Sequence, residues 1–189
     1  PYRHIPVASL SPEIAARTVT VMAPSKTFNI PGLGFSFAII PDGALRKQYK
    51  AAAADIVPHL SSFAYAGALA AYTECDGWLA ELITYLQGSR DYLAAYAAAN
   101  WPGVRFAPPE ATYLAWLDCR EFLDTAHLTD AEEFFRTEAR VALNDGGIFG
   151  QGGEGFVRLN LACPRATLVE ALGRMKTALK RRLSEVAGA

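Results

Sequence analysis

Lys26 and Arg158 are the two side chains whose surroundings in the sequence could serve chemistry. Lys26 lies in Ala23-Pro24-Ser25-Lys26-Thr27-Phe28-Asn29, a loop stiffened by Pro24 and Pro31 and fed by an apolar stretch. A lysine among small and apolar neighbours can be desolvated, which lowers its pKa and makes its amine nucleophilic. The competing reading is a solvated loop lysine, because lysine is mostly exposed, and the residues alone leave both open. Arg158 lies in Phe156-Val157-Arg158-Leu159-Asn160-Leu161. Strand alternation puts Phe156, Arg158 and Asn160 on one face and Val157, Leu159 and Leu161 on the other. An arginine in an apolar strand needs a partner if it is buried. Its planar fork suits a carboxylate held bidentately, which could be a ligand or an internal Asp or Glu in a structural ion pair.

Other chemistry-bearing residue types give weaker signals. The glycine-rich stretch from Asn144 to Gly155 lacks the Lys-Ser/Thr ending of a phosphate loop and leads into a strand, so it reads as a tightly turned loop near a site. His4, His59 and His127 show no HExxH spacing and read as structural or surface residues. Asp76, Asp91, Glu132 and Glu133 read as helix-face and cap charges. Cys75, Cys119 and Cys163 are odd in number, widely spaced and without a CxxC pair. That pattern argues against a zinc site or disulfide framework and suits reduced thiols in a cytoplasmic protein.

The Lys26 loop needs anchors on both sides. Arg17 to Met22 is rich in β-branched residues and reads as a buried strand; Gly34 to Ile40 reads as a second, ended by Pro41-Asp42-Gly43. Ala44 to Asp55 is alanine-rich and helical. Two further helices are expected from about Ser61 to Thr73 and from about Trp78 to Asn100, punctuated by Cys75-Asp76-Gly77 and stopped by Trp101-Pro102-Gly103. Toward Arg158 the character changes. Ala111 to Leu117 is a strand by its aromatic and branched content, and Thr129-Asp130-Ala131-Glu132 has capping-box form and should open a helix through Arg136 or beyond. Val141 to Leu143 reads as a short strand and Phe156 to Ala162 as the next one. Thr167-Leu168-Val169-Glu170 is a second capping box, whose helix carries Leu168, Leu172, Met175, Leu179 and Leu183 on one face. The composition shift between Gly77 and Gly103 marks a boundary between a part belonging to one sheet and a smaller α+β unit.

The chain has 189 residues, 51% of them hydrophobic and 20% charged. That is enough for a buried core in one domain or two small ones. Net charge is −1 with Lys and Arg scattered, so no basic stripe points to nucleic acid. No apolar run approaches the roughly 20 residues that span a bilayer. The opening Pro1-Tyr2-Arg3-His4-Ile5-Pro6 has neither an apolar signal segment nor an initiator Met, and reads as the continuation of a longer polypeptide.

Three ordered stretches carry a resemblance that covers essentially the whole chain. Ala23 to Leu33 resembles the lysine segment of fold type I pyridoxal-phosphate (PLP) enzymes, and more closely that of the cystathionine β-lyase (C–S lyase) branch of the class I/II aminotransferase family. Thr112-Tyr113-Leu114-Ala115-Trp116-Leu117-Asp118 resembles the small-domain strand of that branch. Phe149-Gly150 and Gly155 through Arg165 resemble its carboxylate-binding segment, and His4-Ile5-Pro6 fits the stretch upstream of the lysine strand. The resemblance implies an α/β chain: residues 1–76 would be the carboxy-terminal part of the PLP-binding large domain and 77–189 the small domain, joined by the long helix. It implies that Lys26 carries PLP as a Schiff base and removes the substrate Cα proton, that Arg158 holds the α-carboxylate of an amino-acid substrate, and that Tyr113 is a further substrate contact. Loss of the Cβ–S thiolate, giving pyruvate and ammonia, and a homodimeric assembly are implied as well. An aminotransferase is the alternative within enzymes, since the same lysine and arginine serve both; a non-catalytic binding or assembly module is the alternative of another class.

The sequence also departs from the family. Many relatives carry a serine or threonine three residues before the lysine and an arginine eight after it; here those positions are Ala23 and Gly34. A full member has about one more domain upstream, supplying the aspartate, asparagine and stacking aromatic around the cofactor ring. The isolated chain is therefore expected to bind PLP weakly, to turn over nothing, and to expose sheet edges.

Overall fold

The structure, a computed structural model, describes residues 3–54 and 56–188. It divides into two units, Pro1–Leu82 and Ile83–Ala189, each of which is described by itself.

In the first unit, α1 (Pro12–Ala15) is capped by Ser11, whose side chain accepts from the Ile14 N–H. Strand β1 (Thr20–Met22) pairs antiparallel with β2 (Phe37–Ile39), Val21 opposite Ala38. Between them run the Lys26 turn and a single 3₁₀ turn, Pro31–Leu33. Three helices follow: α2 (Gly43–Ala53) capped by Asp42, α3 (Ser62–Glu74) capped by Ser61, and α4 (Asp76–Asn100), which runs on into the second unit. Asp55, the expected end of α2, lies outside the described residues. Ala64, Ala68 and Ala71 form the buried stripe of α3, at the i, i+4, i+7 spacing of one helix face. Gly67 beside them lets α3 approach Leu33 more closely than any side chain would.

The expectation of a buried first strand is corrected. Val21 is 63% and Met22 45% exposed. The ribbon is three residues long and two strands wide, with no flanking strand among the described residues, so much of its β-branched sequence is left in solvent.

The second unit is built on a four-stranded antiparallel sheet in the order β3-β4-β6-β5. In chain order it comprises β3 (Arg105–Phe106), β4 (Leu114–Asp118), α5 (Arg120–Ala126), α6 (Ala131–Phe134), β5 (Asn144–Asp145), β6 (Phe156–Asn160) and α7 (Arg165–Ala187). One sheet face contributes Ala115, Leu117, Val157 and Leu159 to a single apolar cluster, together with Phe122 and Leu123 of α5 and Leu168, Leu172, Met175 and Leu179 of α7. Both the alternation expected of β6 and the apolar stripe expected of α7 are therefore present.

Several boundaries differ from the sequence expectations. The cap of α6 is Asp130, accepting from the Glu133 N–H at 2.9 Å, and not Thr129; a carboxylate there also meets the positive end of the helix. After Phe134 the chain continues as a π-turn, Phe135–Ala139. Helix α7 starts at Arg165, directly after Pro164, so Thr167 lies inside it and caps nothing. Val141 to Leu143 is not a strand; pairing begins at Asn144. Helix α5 and strands β3 and β5 were not expected.

Candidate functional site

Lys26 sits on a turn that its neighbours fix. The Phe28 N–H donates to the Pro24 carbonyl at 2.9 Å and the Ile30 N–H to Ser25 at 3.0 Å. Pro24 is fully buried. The Phe28 ring meets Tyr72 edge-on at 5.5 Å and stacks on Trp78 at 6.3 Å. Asn29, at φ 54, turns the chain back toward β2; asparagine tolerates that left-handed conformation better than most residues. The turn is thus pinned at both ends while Lys26 itself points into solvent. The desolvation considered for it does not occur within this unit. Its amine makes no ion pair or hydrogen bond among the described residues, so it is free to condense with an aldehyde.

That free amine on a rigid turn fits the carbonyl end of PLP. The positions where many relatives carry phosphate ligands, Ala23 and Gly34, offer no side-chain donor, so these residues fit one end of the cofactor and leave the phosphate to others.

Arg158 lies on the sheet face opposite the core of the second unit. Pairing of β4 with β6 sets Trp116 directly across from it, and pairing of β5 with β6 sets Asn144 on its other side. One terminal nitrogen, Nη2, donates to the Asn144 side-chain oxygen at 3.0 Å. The guanidinium carbon lies 4.3 Å from the centre of the Phe149 ring, a cation–π distance. Phe149 is braced edge-on by Trp116 at 5.6 Å, and Trp116 stacks on Phe156 at 5.5 Å. Arg120 covers that ring at 4.7 Å and grips both oxygens of Asp118; this hydrogen bonding holds the Asp118 carboxyl below its ordinary pKa.

The charge of Arg158 is not neutralised. Arg105, Arg120, Arg136 and Arg181 of the same unit each face a carboxylate, whereas Arg158, like Arg165, has none among the described residues and its Nε is shielded without a hydrogen-bond partner there. A structural ion pair, the competing reading from sequence, is therefore absent among those residues. What remains is a half-buried cation oriented by neutral groups, an arrangement suited to an external carboxylate.

The glycine-rich loop that carries Phe149 is compact for a steric reason. A Cβ on Gly146 would lie 2.7 Å from the Phe156 carbonyl oxygen and closer still to that of Gly153, while one on Gly153 would strike the Gly146 backbone. The two strands of loop cross where only glycine fits. Tyr113 packs against the apolar core cluster, and its carbonyl accepts from the Leu161 N–H at 3.0 Å. The partners of Arg158 that sequence reasoning missed are Asn144, Phe149 and Trp116. Phe149 and Asn144 stood in the glycine-rich stretch, but only strand pairing reveals which residues they face.

Among the described residues no group of His, Cys, Asp and Glu could hold a metal ion, and no helix is long and apolar enough to cross a membrane.

Comparison with known proteins places the chain in a family. A family model described as aminotransferase class I and II matches residues 2–175. Cystathionine β-lyase PatB of Bacillus subtilis (strain 168) is 41% identical over 181 residues, covering 94% of this chain and 46% of the relative. Cystathionine β-lyase of Corynebacterium glutamicum is 34% identical over 176 residues, 93% of this chain and 46% of the relative. Among solved structures, cystalysin from Treponema denticola, which contains a pyridoxal 5'-phosphate cofactor, superposes with a TM-score of 0.87 at 33% identity, covering 95% of this chain and 45% of that one. The chain thus spans about half the length of the curated relatives it matches.

Proposed function

The chain belongs to the class I and II aminotransferase family, and on that premise we propose that it forms the carboxy-terminal part of a PLP-dependent β-C–S lyase. The substrate is cystathionine or a related cysteine S-conjugate, and the products are a thiol, pyruvate and ammonia. The observation that carries this reading is the Arg158 guanidinium, oriented by Asn144 and Phe149 and facing no carboxylate among the described residues. The likeness to cystathionine β-lyases supports the choice of the C–S bond.

In this reading Lys26 would hold PLP through its amine, and the same amine would take the proton from the substrate Cα. When bound, PLP supplies the electron sink that makes that proton acidic. Arg158 would bind the substrate α-carboxylate bidentately, which restricts the orientation of the bound substrate. The exposed setting of Lys26 leaves its amine access to both cofactor and substrate. Residues 1–76 belong to the large, cofactor-binding domain and 77–189 to the small domain, and the protein works as a cytoplasmic homodimer. The remaining contacts to the cofactor ring and phosphate come from chain outside this sequence.

Product analysis of the complete protein tests the proposal. Pyruvate and thiol released from cystathionine without any keto-acid acceptor is the expected result. An obligatory keto acid, with no thiol released, would mean a transferase and overturn it.

A further inference from the structure

We propose that Asn144 is a positioning residue for substrate carboxylate, whose use is to hold Arg158 in place without cancelling its charge. The inference rests on the reading of Arg158 as the carboxylate site. It follows from what Arg158 is given as partners. Its Nη2 donates to a carboxamide oxygen at 3.0 Å and its flat face lies 4.3 Å from the Phe149 ring centre. Both partners attract a guanidinium and neither carries a charge. A carboxylate at position 144 would bind the same nitrogen more strongly, yet it would occupy the fork that a ligand needs.

The local structure makes the choice of residue meaningful. Asn144 pairs with Arg158 across β5 and β6, so the two side chains leave the sheet on one face by register. The next residue, Asp145, is an acid, and its side chain is spent on the Gly147 N–H at 3.2 Å. An acid is thus accommodated one position on, where it turns the loop and lies off the Arg158 register, while the position that faces Arg158 has the neutral isostere. The shielded Nε, without a hydrogen-bond partner among the described residues, leaves the guanidinium short of acceptors.

A purely structural hydrogen bond and a charge-preserving one predict opposite rankings of variants. Asn144→Asp keeps the size and the acceptor, and its carboxyl is ionised at pH 8. If Asn144 is structural, Asn144→Asp behaves as wild type and Asn144→Ala is the damaged variant. If it preserves charge, Asn144→Asp is the worse of the two. The experiment uses the complete, cofactor-loaded protein and 3-(methylthio)propanoate, a thioether carboxylate without the reactive amine, titrated by calorimetry at pH 8. The expected Kd rises about tenfold or more in Asn144→Asp, by loss of one charge-assisted contact, and about threefold in Asn144→Ala. Steady-state kinetics should place the loss in KM more than in kcat. Asn144→Ser, a shorter neutral acceptor, should fall between wild type and Asn144→Asp. Thermal melts of each variant check that the fold is kept. Binding by Asn144→Asp equal to wild type, or tighter than by Asn144→Ala, overturns the proposal. Arg158→Ala run alongside separates the two levels: if it binds the probe as wild type does, the carboxylate reading of Arg158 fails and this inference with it. If Arg158→Ala loses binding while all three Asn144 variants keep it, only the role of Asn144 is overturned.

Discussion

Replacing Arg158 removes the feature on which the substrate reading stands, and the structure sets the size of the effect. A bidentate guanidinium–carboxylate pair comprises two charge-assisted hydrogen bonds, each worth about 1.5–3 kcal/mol. Arg158 is half-buried, so solvent screens part of that; about 3 kcal/mol is a reasonable net loss for Arg158→Ala. At 1.36 kcal/mol per tenfold, kcat/KM should fall by about a hundredfold. Arg158→Lys keeps the charge but replaces a planar fork with a compact ammonium, which reaches neither Asn144 nor the ligand in the same geometry; a loss of about tenfold is expected. The fold should survive both changes, because among the described residues Arg158 makes one side-chain hydrogen bond and one ring contact and its Nε makes none. The assay is pyruvate release from an S-alkyl cysteine and from the same compound with its carboxylate converted to a carboxamide. Wild type should prefer the acid, whereas Arg158→Ala should show little preference. If folded Arg158→Ala stays within about threefold of wild type on the acid, the contact worth 1.5–3 kcal/mol per hydrogen bond is not being made, and the reasoning is refuted.

Three further expectations concern the scaffold that holds Arg158. Cys119 is fully buried and burial pushes its thiol pKa up to about 12. A group whose folded pKa is raised stabilises fully below its unfolded pKa of about 9 and loses that contribution as pH rises toward 12. The stability of wild type should therefore fall by about 1 kcal/mol more than that of Cys119→Ala between pH 8 and 10, read from denaturant midpoints; parallel pH curves would contradict this. Gly153→Ala would drive a Cβ into the Gly146 backbone and should cost about 2 kcal/mol or more of stability while weakening carboxylate binding, because the loop carries Phe149; an unchanged Kd would mean the loop does not set Arg158. Leu172→Ala empties a fully buried position of α7 and should destabilise the second unit by about 2–5 kcal/mol in equilibrium unfolding, with a smaller loss only if the core collapses around it.

What could be read from the sequence follows from which interactions are local. The apolar stripe of α7 and the alternation in β6 are repeats of period 3.6 and 2 written along one segment, so Leu168, Leu172, Met175 and Leu179 on one side and Val157 and Leu159 on the other were legible. Strand β1 was misjudged as buried because β-branched content reports a preference for a covered sheet and cannot supply the cover. The α6 cap was misplaced by one residue because Thr129 and Asp130 stand together, and the α7 cap by three because Pro164 opens the helix ahead of Thr167. Lys26 and Arg158 were legible as types in unusual settings. The environment of Arg158 was not, since Asn144, Phe149 and Trp116 reach it only through pairing of strands far apart in sequence.

The central claim is that Lys26 carries the cofactor. Borohydride reduction of the PLP-loaded complete protein, followed by peptide mass spectrometry, tests it most directly, with Lys26→Ala treated in parallel. The account predicts a single reduced pyridoxyl adduct on the peptide containing Lys26, absent from Lys26→Ala together with its visible absorbance. An adduct on another lysine, or one that persists undiminished in Lys26→Ala, would contradict it.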